Sequence, residues 1–113
     1  MTTTVVSDPT SATVVLDGEI DISICPAIGR FLSAAISGGH AQLAVDMSGV
    51  AFIDAAGIGV LVAAANRARE AGGGLSLLAP SRQVRRLLDI FHLDAILPAA
   101  PRSADPFVAG SAA

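Results

Sequence analysis

The sequence contains no lysine, tryptophan or tyrosine, and only one cysteine, Cys25. A single thiol excludes an internal disulfide, and no Cys/His set has the spacing of a metal site. All seven basic residues are arginine and the net charge is −3, so the basic stripe that a nucleic acid requires is missing. Arg82, Arg85 and Arg86 do cluster. Their spacing puts them on one side of a helix, where they read as a solvated face. No apolar run reaches the ~18 residues of a membrane span. The opening stretch lacks a charged segment followed by an apolar one, so no signal peptide and a cytoplasmic location are expected. Aromatics are 4% of a chain that is 52% hydrophobic. The core must therefore be Val, Leu, Ile and Ala. The 113 residues suit one domain, whose stability should be about 5–10 kcal/mol.

Hydropathy patterning supplies the elements. Thr3–Val6 and Thr13–Asp17 are β-rich runs separated by Asp8-Pro9, a turn signal. From Ala27 the residues Ile28, Phe31, Leu32, Ala35 and Ile36 recur at three and four, which predicts a helix closed by Gly38-Gly39. Pro26 suits its first turn, and Ser23 or Cys25 stands near its cap. Leu43, Val45 and Met47 alternate with Ala44 in a buried strand that leads through "VAFID" to Asp54. A second helix is expected from Ala55 or Ala56 to Ala71, stopped by Gly72-Gly73-Gly74. "LSLLA" reads as a third buried strand. Pro80-Ser81 opens a third helix with Val84, Leu87, Leu88 and Phe91 as its apolar face, and "AILPA" reads as a last short strand. The expected architecture is α/β, a mixed sheet of four to five strands with helices mainly on one face. Residues 1–100 form the domain. The Ala-, Pro-, Ser- and Gly-rich residues 101–113 read as a disordered tail, of which Phe107 and Val108 could dock onto the body.

The most pointed stretch is "FIDAAGIGVL", residues 52–61. Asp54 is placed to cap the second helix by accepting from the N–H groups of Ala56 and Gly57. Gly57 and Gly59 strip side chains from the first turn, so that it can approach either a neighbouring strand or a partner surface. Ile58, Leu61, Val62 and Ala65 share a stripe, while Val60, Ala63 and Ala64 lie off it, and no charge appears before Arg67. A helix start this apolar on several sides is either deeply set or exposes a docking patch. If the tip is exposed, Gly57→Trp would block docking without loss of stability. Gly57-Ile58-Gly59 is no dinucleotide fingerprint, for it lacks the third glycine and the downstream acid. Catalysis finds no support either. Asp46 and Asp54 are explained by strand and cap roles, Asp21 stands alone, and no nucleophile is paired with a base. His40 and His92 are distant in sequence and lack acidic neighbours. Cys25 opens the first helix, where a helix N-terminus would lower a thiol pKa. A lone cysteine is otherwise a small apolar core residue.

"VDMSGVAFIDAAGIGVL", residues 45–61, resembles the signature of the STAS domain, in the branch of the anti-sigma factor antagonists. "DGEIDISICPAI", residues 17–28, resembles that family's acidic turn before the first helix. The resemblance implies a binding module without cofactor or metal. Its partner would be an anti-sigma factor of the GHKL ATPase and kinase type, whose capture frees a sigma factor. It further implies a contact surface of Asp54, Ala55, Ala56, Gly57, Ile58 and Val60, edged by Glu19, Asp21 and Ile22. In the family a kinase commonly phosphorylates a serine just after the motif aspartate. Here Ala55 occupies that position and carries no hydroxyl. The resemblance therefore implies a constitutive binder, monomeric or weakly dimeric. A second family role is equally compatible: an accessory subunit docked on a membrane transporter or its ABC ATPase.

Overall fold

A computed structural model of the protein describes residues 2–100, with side chains from Pro9 onward. The tail expected beyond residue 100 lies outside the described residues. Eight elements follow in the expected order: β1 (Thr2–Asp8), β2 (Ser11–Ile20), α1 (Cys25–Ser37), β3 (Gln42–Ile53), α2 (Ala55–Glu70), β4 (Gly74–Leu78), α3 (Arg82–Ile90) and β5 (Ala99–Ala100). The strands lie side by side in sequence order. β1 runs antiparallel to β2, and the other neighbours are parallel. The sheet is thus mixed and five-stranded.

Strand alternation decides where the helices go. Ala12, Val14 and Leu16 of β2, Leu43, Val45 and Met47 of β3, and Leu75 and Leu77 of β4 turn to one face. There they join Ile28, Leu32 and Ile36 of α1, Ile58, Leu61, Ala65 and Ala68 of α2, and Val84 and Leu88 of α3 in one apolar cluster. All three helices therefore cover the same face. Each fully buried Leu or Ile here contributes about 1.5–3 kcal/mol, so aromatic residues are not needed.

Three local expectations change. The run 95–99 is not a strand: the backbone from Leu93 to Leu97 is spent in a turn, with Ile96 and Leu97 both donating to the Leu93 carbonyl. Only Ala99 and Ala100 pair with β4, and Leu97 plugs the core instead. Phe91 does not belong to the apolar face of α3. The helix ends at Ile90, His92 takes φ 54°, and Phe91 is left 48% exposed. Finally, α1 begins with Ile24 at its N-cap and no side-chain cap. Asp21 organises that entry from outside the helix. Its carboxylate accepts from the Ser23 N–H at 2.9 Å and the Ser23 hydroxyl at 2.5 Å, and its carbonyl accepts from Ile24 N–H.

Candidate functional site: the β3–α2 corner

β3 is twelve residues long, but only Gln42–Asp46 pair with β4. Beyond Asp46 its partner in the sheet is β2, out to the Ile20–Ile53 pair. The open side at Ile53 is closed by a side chain. The Gln83 carboxamide accepts from the Ile53 N–H at 3.2 Å and donates to the Ile53 carbonyl at 2.9 Å. Ile53 is thus gripped between β2 and α3, and the Asp54 N–H donates to the Ile20 carbonyl just beyond it.

The chain then turns into α2. Asp54 is extended (φ −99°, ψ −179°), and its carboxylate accepts from the Gly57 N–H at 3.0 Å. This is the expected cap, made to Gly57 alone. It satisfies a donor that the first turn leaves unpaired, and the negative charge suits the helix N-terminus.

The predicted contact residues divide into two groups. Ala55 is exposed, Asp54, Ala56 and Val60 are half-buried, and Glu19, Asp21 and Ile22 are exposed, Ile22 to 72%. Gly57 and Ile58 are interior. Ile58 belongs to the core cluster. A Cβ on Gly57 would lie 2.5 Å from Ile53 Cγ1 and 2.9 Å from Ile20 Cγ2. Gly57 is bare so that α2 can sit down on β2 and β3, and Gly57→Trp would break the fold rather than merely block a surface. Of the two glycines in α2, Gly59 is the one with open space around it, since its Cβ would meet nothing within 4 Å.

Beside the tip runs an apolar groove of about 330 Å³, lined by Ala55, Ile58, Gly59, Val62, Phe91 and Leu93. Sequence periodicity placed Val62 and Phe91 in the core and gave Leu93 no role. The groove forms only because the turn after α3 comes back against α2, a long-range contact with no local signal.

Cys25 lies at the same end but is not an activated thiol. It is buried, and its Sγ contacts the Asp21 carbonyl at 3.1 Å. Burial, then the nearby carboxylates of Asp54 and Asp21, push its pKa above the ordinary 9.0. The expected lowering by the helix N-terminus is overridden. Asp21 moves the other way, held below its ordinary 3.8 by the hydrogen bonds from Ser23. Among the described residues, no group of three or more His, Cys, Asp or Glu could hold a metal, and no helix is long and apolar enough to cross a membrane.

A mixed five-stranded sheet, three helices on one face and a capped strand-to-helix corner define a STAS-type α/β domain. The family model described as "Mlab, STAS domain" matches residues 3–98, and the chain belongs to that family. Among solved structures, an anti-sigma factor antagonist from Mycobacterium paratuberculosis is 25% identical with a TM-score of 0.80, covering 100% of this chain and 96% of that one. SpoIIAA, an anti-sigma factor antagonist in its unphosphorylated form, is 18% identical with a TM-score of 0.82, covering 98% and 97%. The murine anion transporter Slc26a9 is 19% identical with a TM-score of 0.71; the match covers 99% of this chain and 22% of the transporter.

Proposed function

We propose that this chain is a non-catalytic, cytoplasmic regulator that docks on an anti-sigma factor of the GHKL ATPase type and so frees a sigma factor. One observation carries the reading. The corner ends in exposed, uncharged Ala55 at the lip of an apolar groove, a tip shaped for contact and empty of chemistry. Likeness to two anti-sigma factor antagonists supports it. Ala55 stands where the family signature has its phosphoacceptor. It has the size and charge of the unmodified state, so docking here is constitutive.

Titration calorimetry against the anti-sigma factor of the same cell tests this. The parent should bind with ATP or ADP present and, by mass spectrometry, gain no phosphate on residues 45–70. Ala55→Glu should weaken binding at least tenfold while leaving the thermal melt nearly unchanged, because a helix N-terminus accepts an anion. Equal binding by parent and Ala55→Glu would remove the tip from the interface. A second reading, an accessory domain of a transporter, rests on the Slc26a9 match. Recovery of a transporter ATPase subunit in place of an anti-sigma factor, with the same Ala55→Glu sensitivity, would favour it.

A further inference from the structure

The corner carries more than its tip. Ile53 marks its centre: Ile20 of β2 pairs with it on one side, and Gln83 of α3 grips it on the other. Each flank has a distinct character. On the β2 flank, Glu19, Asp21 and Ile22 are exposed, and Ile22 is the most exposed large hydrophobic residue among the described residues. On the α3 flank, Arg82 and Arg86 are exposed one turn apart, with Ile90 (59% exposed) a further turn along and Phe91 at the mouth of the groove. Arg85 differs from its neighbours, lining a crevice with Asp89 and Asp94. Among the described residues, neither Arg82 nor Arg86 has an ion pair. One end of one chain thus presents an acid pair beside an apolar knob and, across the corner, an arginine pair beside an apolar groove.

We propose that this end pairs with a second copy of itself. About a two-fold axis through the corner, Ile22 of each chain enters the groove of the other, and Glu19 and Asp21 of each face Arg82 and Arg86 of the other. A two-fold contact requires a patch that is its own complement. Here both opposites, knob with groove and acid with base, lie on the two sides of one centre. A two-fold through Ile53 sets each flank of one chain against the opposite flank of its partner, so that acid meets base and knob meets groove across a single centre. Opposite charges set the register and speed the encounter, and the apolar contact holds it. The dimer covers Ala55, so self-pairing competes with any partner that docks on the tip and supplies a concentration-dependent control where a phosphoserine is missing.

Sedimentation velocity from micromolar to millimolar chain, at low and high salt, tests the proposal. The parent should shift from monomer to dimer, at lower concentration in low salt. Ile22→Asp should remain monomeric with an unchanged melt. The pair Glu19→Arg/Asp21→Arg makes both flanks basic, and the pair Arg82→Glu/Arg86→Glu makes both acidic. Each should be monomeric alone, and a mixture of the two should give a dimer of one of each. A parent that stays monomeric at millimolar concentration in low salt overturns the proposal. So does a dimer that survives either reversal, or a mixture of the reversed chains that stays monomeric.

Discussion

Two glycines two positions apart in α2 should respond to the same substitution with opposite sign. Gly57→Ala drives a methyl into Ile53 and Ile20, both closer than 3 Å. Overpacking of that kind costs about 1–3 kcal/mol, which exceeds the ~1 kcal/mol gained from helix propensity. Gly59→Ala meets nothing and should gain about 0.5–1 kcal/mol. Urea denaturation of the two variants reads both signs. Asp54→Ala should lose about 1 kcal/mol with the cap to Gly57. The sequence pattern Gly-x-Gly could not separate the two glycines, because what distinguishes them is the approach of Ile20 and Ile53 from other strands. The cap was legible, since it needs only Asp54 and the N–H three residues on. Cys25 adds a pH signature. Its pKa in the fold lies above the ordinary 9.0, so the folded chain holds the proton more tightly than the unfolded one. Stability from this group is intact below that ordinary value and falls as pH rises through the raised one. The sequence has no Lys or Tyr, so few groups compete in that window. Denaturation midpoints should decline as pH rises beyond about 9, and Cys25→Ala should flatten the slope.

Among elements, α3 does more than cover the core. Its amphipathic pattern announced Val84 and Leu88, but nothing in the pattern marked Gln83 as a partner of the Ile53 backbone thirty residues earlier. A side-chain amide standing in for a missing strand leaves no period in a sequence. Gln83→Ala strips both bonds from a residue that is fully buried, at a cost of about 1–3 kcal/mol. Gln83→Glu keeps an acceptor for the Ile53 N–H but loses the donor to its carbonyl, and should fall between. By NMR, hydrogen exchange at Ile53 should quicken in Gln83→Ala more than the loss of global stability explains. The order of elements was readable throughout, because strands buried on the helix face alternate and helices recur at three and four. β5 was misplaced because an apolar run after a helix can equally well fill the core as a turn, which is what Leu93–Leu97 does.

At the scale of the whole molecule, β3 outruns its neighbour β4. Its first five residues are flanked by strands on both sides, while the stretch from Met47 to Ile53 has a strand only on the β2 side. The tip therefore sits at the end of a beam held along one side by β2 and propped on the other, near its end, by one carboxamide. A load applied to Ala55 passes through Gly57 and Ile53 into the core on the β2 side, while on the strandless side it is met by the two Gln83 hydrogen bonds. Loss of the Gln83 strut should therefore soften the corner on its strandless side while the β2 side stays braced.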